Sequence, residues 1–455
     1  ENFTMVEFIF IGLAVEVLAI LFLAQIRIRA AYLFGKVSKE QYHQSLKEKM
    51  GLSKFKKGTI IFYIALSIFI FIGTGFSLQW HSEKNINKWK LGEIGGQESL
   101  INEVSQNYME EKDICDMCIG ISQFQRTYFV CMSQSPINNS AILDNSSVFE
   151  IGSITKTFTY AAMLKTLNNH NIEIDSPIAD YLPKNIMQLN PNIGNITWQQ
   201  LATHTSGLSR MPMGWDLVTA KSLFELCTLG NPYEGFTTEY IYDYLLSTDI
   251  EKADKELGSY SNLAVGLLGL LLSEVENKSY PQLIADYITS PLNMTSTTVN
   301  LPTKKDKMVN GYGQYRRLGS LVVSAQSAPS IFSNGLAGAG AIRSSTKDMM
   351  IYLKNSMKDY KNSVFQEAKY TSRLSEKGKV NLGWIVVDMP GKLGESIIAH
   401  DGATGGFRSY LGFVESEDIG VIILTNGTRS VTSLGKNILQ ILAKESKKSA
   451  SVANL

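Results

Sequence analysis

The sequence predicts an α/β domain whose single sheet is drawn from both ends of the chain, with a helical insertion between them and a transmembrane helical hairpin in front. Three observations predict it. Strand-like segments cluster at 117–133 and again at 380–424, helical and loop segments fill the interval to about Lys347, and two apolar runs of about 20 residues open the chain. Composition agrees. At 455 residues the chain exceeds one small domain, and 44% apolar residues permit a large core and exclude global disorder. Lys+Arg number 43 against 42 Asp+Glu, so no basic footprint marks a nucleic-acid partner. The charged fraction of 19% is low for a soluble chain, and the first 80 residues are the reason.

Met5–Ala24 and Thr59–Leu78 are each long enough to cross about 30 Å of hydrocarbon as a helix. The first run lacks the basic leader of a signal peptide; basic residues come after it instead. Between the runs stand Arg27, Arg29, Lys36, Lys39, Lys47, Lys49, Lys54, Lys56 and Lys57 against Glu40 and Glu48. The positive-inside rule puts this loop in the cytoplasm and everything after Trp80 outside it. Contact with anionic headgroups is the plain reading of the same charges. Glu16, mid-span, is read as hydrogen-bonded to the second helix or to another membrane protein, with a proton-coupling role as the sharper alternative. Two such helices also offer a surface for a membrane-protein partner or a homo-oligomer.

Residues 81–96 read as a polar linker, 97–445 as the folded domain and 446–455 as a tail. In the domain, 97–112 has a helical apolar face of Leu100, Ile101, Val104, Tyr108 and Met109. Segments 117–123 and 127–133 form a hairpin about Phe124-Gln125. That turn sets Cys118 opposite Cys131, as a disulfide or as two buried thiols; Cys115 and Cys227 complete the four cysteines, and the lone CxxC has no second half for zinc. A helix opens near Ser153. Strands are expected at 380–387, 396–399, 409–414 and 420–424, and a closing amphipathic helix at 431–443.

Three motifs carry chemistry. Ser153-Ile154-Thr155-Lys156 puts a serine and a lysine on one helix face, one turn apart, at a helix N-terminus able to steady an oxyanion. Alone, this is a capped helix with an exposed lysine. Tyr260-Ser261-Asn262 precedes a long apolar helix and, alone, is an N-cap. His400-Asp401-Gly402 begins a glycine-rich strand edge that a ligand can approach and, alone, is a hairpin turn.

In this order the three motifs resemble the penicillin-recognising serine hydrolases, most closely the class C β-lactamase-like branch with its SxxK, YxN and KTG or HxG elements. The resemblance covers roughly 97–445 and extends to ITWQQLATHTSGL (196–208), SPLNM (290–294), GAGAIRSSTKDMMIY (338–352), LGW (382–384) and VIILTN (421–426). It implies a β-lactamase/transpeptidase-like antiparallel sheet flanked by helices with a helical subdomain. It also implies Ser153 as nucleophile, Lys156 as the residue that helps take its proton, and Tyr260 as a proton-shuttling phenol. Asn262 then holds the substrate carbonyl, and His400 and Gly402 line the substrate strand. The N–H groups of Ser153 and Ala403 form the oxyanion hole. A phenol acts as base near neutral pH only if cations such as Lys156 depress its pKa. His204 and Ser206 imitate a serine–histidine pair, but the resemblance makes their segment structural.

His400 stands where class C β-lactamases usually carry lysine, which turns the expectation toward peptidases, amidases and esterases. Trp215, Tyr233 and Phe236, in the segment that walls the cleft, suit an apolar or acyl-chain pocket or plain core packing. The expected protein is a membrane-tethered serine hydrolase facing away from the cytoplasm. It needs no metal or organic cofactor, and it acts on a small-molecule or peptide substrate, a D-amino acid or acylated peptide above all. A ligand-acylated sensor and a β-lactamase are the alternatives.

Overall fold

The computed structural model describes residues 76–80 and 87–453, apart from 95, 125, 135–142, 249, 251–256, 300–306, 319–320, 363–370, 375–377, 390–394 and 415. The expected membrane segments, apart from the end of the second, lie outside the described residues, as do the basic loop and Glu16. The chain divides into Glu1–Phe76 and Ser77–Leu455, and all described residues but Phe76 belong to the second unit. The second apolar run was expected to stay helical to Leu78. Instead Phe76–Trp80 is a strand, its alternation of Phe76, Leu78 and Trp80 with Ser77 and Gln79 matching the two-residue period. Among the described residues no helix is long and apolar enough to cross a membrane.

Among the described residues the main sheet has ten strands: β1 (Asn87–Gly92), β2 (Asp116–Gln123), β3 (Arg126–Ser133), β4 (Leu257–Gly258), β5 (Thr371–Leu374), β6 (Gly378–Asn381), β7 (Trp384–Asp388), β8 (Ser396–Ala403), β9 (Phe407–Val414) and β10 (Ile419–Asn426). Their spatial order is β1-β3-β2-β10-β9-β8-β7-β6-β5-β4. The two ends of the chain meet where β2 pairs with β10, from Asp116↔Asn426 to Gln123↔Ile419. All contacts are antiparallel except that of the two-residue edge strand β4 with β5.

Three boundaries differ from expectation. The linker 81–96 contains β1, whose exposed Lys88 and Lys90 make it look like solvated chain and suit an unpaired sheet edge. The single strand expected at 380–387 is folded into β6 and β7 by a turn at Leu382 and Gly383, both with positive φ. The closing helix, Thr432–Ala453, runs well into the expected tail.

Alternate residues of the central strands feed two cores. Met117, Ile119, Ile121, Val421 and Ile423 face Ile101 and Met109 of helix Glu98–Lys112 and Leu434, Ile438 and Leu442 of the closing helix. Cys118, Phe129, Cys131, Ile422 and Leu424 face Met350, Leu353 and Met357 of helix Thr346–Asn362 and the helical insertion. Burial on both faces explains why these strands read as unbroken apolar runs. Cys118 and Cys131 lie directly opposite in the β2–β3 register and form a disulfide, whereas no disulfide links Cys115 or Cys227.

Candidate active site

Ser153 sits in a single 3-10 turn, Gly152–Ile154, that runs into helix Thr155–Asn169. Gly152 has φ +50°, and a Cβ there would lie 2.6 Å from the backbone nitrogen of Ala403. A Cβ on Gly402 would collide with the carbonyl of Ile151 and with Ser409 Oγ. Ser409 Oγ itself donates to the Ile151 carbonyl at 2.8 Å. Two glycines therefore let β8 close directly onto the turn that carries Ser153. Strand approach to this turn is thus a packing role for Gly402 beyond the substrate contact the motif implied.

Lys156 is fully buried, one turn along the helix. Its ammonium donates to Ser153 Oγ at 3.0 Å and to the Ala339 carbonyl at 2.7 Å. Ala339 belongs to the short helix Asn334–Gly340, and glycines bring that helix tight against helix Asn262–Glu276: a Cβ on Gly338 would stand 2.7 Å from the Val265 carbonyl. The glycine-rich stretch 335–340 thus aims a carbonyl at the lysine.

Tyr260 immediately precedes the cap of helix Asn262–Glu276. Ser261 Oγ accepts from the Ala264 N–H at 2.9 Å and donates to the Ser209 carbonyl at 2.7 Å, which fixes the backbone around the tyrosine. The Tyr260 hydroxyl hydrogen-bonds with Ser153. Lys156 Nζ lies 4.9 Å from its ring centroid and Arg210 Cζ 5.0 Å from it. The expectation of a depressed phenol pKa is not met. Burial pushes Tyr260 well up, with Asp401 and Tyr233 adding to the rise, and this outweighs the lowering by Ser153 and Arg210. The resting group is a phenol, a proton donor.

His400 is buried, with its ring centroid 6.5 Å from that of Tyr260. Its Nδ1 lies 2.7 Å from the Asp401 carbonyl, so Nδ1 carries the proton and Nε2 is the acceptor in the neutral tautomer. The Asn262 amide nitrogen donates to Met211 Sδ at 3.3 Å, and its Oδ1 is buried without a partner among the described residues. The amide group expected to hold a substrate carbonyl is therefore turned to a weak sulfur acceptor, which a better acceptor can replace. Ala403 is exposed at the end of β8 beside the Ser153 turn.

The structure adds two residues that the motifs did not single out for the site. His204 stacks near Tyr260, with centroids 4.6 Å apart, and its Nδ1 accepts the Ser261 N–H at 3.2 Å. It thus holds the tyrosine segment and is not placed as a base for Ser206, which is buried and accepts the Leu208 N–H. Arg210 is the second, a cation over the phenol ring that no local sequence signal marks. Three residues before Ser153, Glu150 forms a buried pair with Arg343 at 3.6 Å, tied together through the Ser330 backbone. Phe236 is core, Tyr233 stacks on Phe332 at 4.0 Å, and Trp215 is 82% exposed.

A family model described as Beta-lactamase matches residues 133–444. Over 308 residues the chain is 28% identical to the D-alanyl-D-alanine-carboxypeptidase/endopeptidase AmpH of Escherichia coli (strain K12), a match covering 64% of this chain and 74% of that protein. It is 27% identical over 284 residues to Protein flp of Staphylococcus aureus (strain MW2), covering 61% and 52% respectively. Among solved structures, a beta-lactamase/D-alanine carboxypeptidase from Pseudomonas syringae superposes with a TM-score of 0.59 at 18% identity. A class C beta lactamase from Rhodobacter sphaeroides gives 0.58 at 20%. Each superposition covers 77% of this chain and 99% of the other, and both show the fold.

Proposed function

This chain belongs to the beta-lactamase family and is a serine hydrolase, and on that premise we propose that it cleaves peptide or amide bonds through an acyl ester on Ser153. The favoured substrates are peptides carrying a D-amino acid or an acyl group at the scissile bond, with esters next. The observation that carries the reading is the contact of the buried Lys156 ammonium with Ser153 Oγ at 3.0 Å, under the ring of Tyr260.

Protons balance along the proposed route. Ser153 Oγ attacks the acyl carbon, and its proton passes into the Lys156–Tyr260 couple. Because burial keeps Tyr260 a phenol, Lys156 is the acceptor and the couple must first have lost one proton. The N–H groups of Ser153 and Ala403 hold the oxyanion, Asn262 turns its amide from Met211 to the substrate carbonyl, and Tyr260 protonates the leaving amine. In deacylation a water gives a proton to the couple as it attacks the ester, and the couple returns one to Ser153 Oγ as the ester bond breaks, restoring the starting state. His400 lacks the permanent cation of a lysine, so this position gives carboxylate-bearing β-lactams no advantage over peptides or esters. Similarity to a protein named as a D-alanyl-D-alanine carboxypeptidase and endopeptidase supports the same substrate class.

We further propose that Met5–Ala24 and the second apolar run anchor the enzyme in the cytoplasmic membrane with the hydrolase unit on the outer side, where such peptides occur. A substrate panel tests the reading: peptides ending in D-Ala-D-Ala, N-acylated D-amino acid peptides, p-nitrophenyl esters and nitrocefin, each with wild type and Ser153→Ala. Turnover of the peptides by wild type alone supports it. An acyl-enzyme that persists for many minutes on every substrate would replace it with the sensor reading, and fast nitrocefin turnover with a β-lactamase.

A further inference from the structure

Helix Leu217–Thr228 is built inside out. The side chains it buries are polar, Thr219 and Ser222, whereas Leu217, Ala220, Leu223, Phe224 and Cys227 are exposed. Their spacing of three and four residues puts these five on one side of the helix, an apolar stripe of the kind that normally faces a core. Leu217 is 87% exposed and Phe224 64%. Trp215, just before the helix, extends the patch, and Lys221 stands at its margin. The stripe is anchored from beneath: Asp216 caps the helix at Thr219, and Tyr240 donates to Asp216. The exposure is therefore a feature of a held helix.

We propose that this stripe docks into the interfacial layer of a lipid bilayer. An exposed Trp, Phe and Leu face with lysine at its edge is the chemistry of a helix lying in the membrane plane. The chain itself provides the proximity. The second apolar run, Thr59–Leu78, passes in sequence into the unit that begins at Ser77, so the two are joined within one chain. Attachment through that run makes docking of a small patch an intramolecular event, favoured without high intrinsic affinity. A second copy fits less well, because a stable dimer buries about 800 Å² and roughly 20–30 residues on each partner, and this is one helix face. The segment Arg210–Pro212, which touches Tyr260 and Asn262, leads straight into the patch, so docking would present the cleft to substrates held at a membrane. The inference rests on the proposed membrane anchoring.

The test uses the full chain reconstituted in phosphatidylcholine vesicles, with or without brominated acyl chains. Trp215 emission is taken as the difference between wild type and Trp215→Phe. The expected result is loss of most of that difference emission in brominated vesicles, and its recovery in a Leu217→Glu/Phe224→Glu variant that still floats with the vesicles. These side chains are exposed, so the variant keeps its fold and its turnover in detergent. Flotation with unquenched Trp215 overturns this inference and leaves the anchor intact. Failure of wild type to float overturns both. A dimer in detergent that the double substitution dissolves, with Trp215 unquenched, assigns the stripe to a second copy instead.

Discussion

The pocket around Ser153 and the wall downstream of it in sequence, residues 210–229, are built on opposite principles. Around Ser153 the reacting groups have fixed neighbours, with Asn262 Oδ1 the exception. Lys156 is clamped between a hydroxyl and a carbonyl, and glycines at 152, 338 and 402 bring backbone to within contact of backbone. In the wall the helix is held by a cap and a phenol, and its large apolar side chains stand outside. The difference teaches where chemistry and selectivity reside. Close backbone packing fixes the reacting atoms to a fraction of an ångström, and a wall with free surface can alter what reaches them without disturbing them.

The largest expected effect is at the nucleophile. Ser153→Ala removes the atom that forms the ester, and covalent capture of a fluorescent penicillin should vanish. Lys156→Ala and Tyr260→Phe should each slow acylation by about two to four powers of ten, read by stopped-flow burst kinetics. A smaller loss for either would mean that the other serves alone. Gly402→Ala should cost about 1–3 kcal/mol of stability, since its methyl would push β8 off the Ile151 carbonyl; thermal unfolding checks it. An unchanged melting temperature would show that β8 closes less tightly than it does here.

The pH profile sharpens the same contrast. Tyr260 is held as a phenol by burial, so the Lys156–Tyr260 couple must release a proton before Ser153 can be deprotonated. kcat/KM should therefore rise with pH below the couple's apparent pKa, by up to about tenfold per pH unit. A profile flat from pH 6 to pH 9 would place the base elsewhere. The smallest effect is expected of His400→Lys. A cation at that position would favour acylation by carboxylate-bearing β-lactams over neutral esters by about tenfold, the size of roughly 1.4 kcal/mol of added attraction. An unchanged ratio would mean that position 400 does not face the substrate carboxylate.

The candidate reacting residues are legible in the sequence because each lies in a short local pattern: Ser153 and Lys156 one helical turn apart, Tyr260 beside a cap, His400 before a glycine-rich strand end. The joining of β2 to β10 was legible from the grouping of apolar runs at both ends. What stayed hidden depends on tertiary placement. Lys88 and Lys90 disguised β1, because an edge strand can carry charge. The hairpin Tyr312–Leu318 with Leu321–Gln326 was missed, since its register shifts between Tyr312 and Gln314 and breaks the alternation. Arg210 could not be read at all: a cation over a ring 50 residues downstream leaves no local pattern. The phenol's direction was misjudged because charge neighbours can be read from motifs and desolvation cannot.

One measurement tests the central claim most directly: peptide mapping by mass spectrometry of the full chain, acid-quenched during reaction with a slowly deacylating penicillin. The account predicts the acyl mass on the peptide containing Ser153, lost in Ser153→Ala and formed far more slowly in Lys156→Ala. An adduct on any other residue, or one that persists in Ser153→Ala, would contradict it.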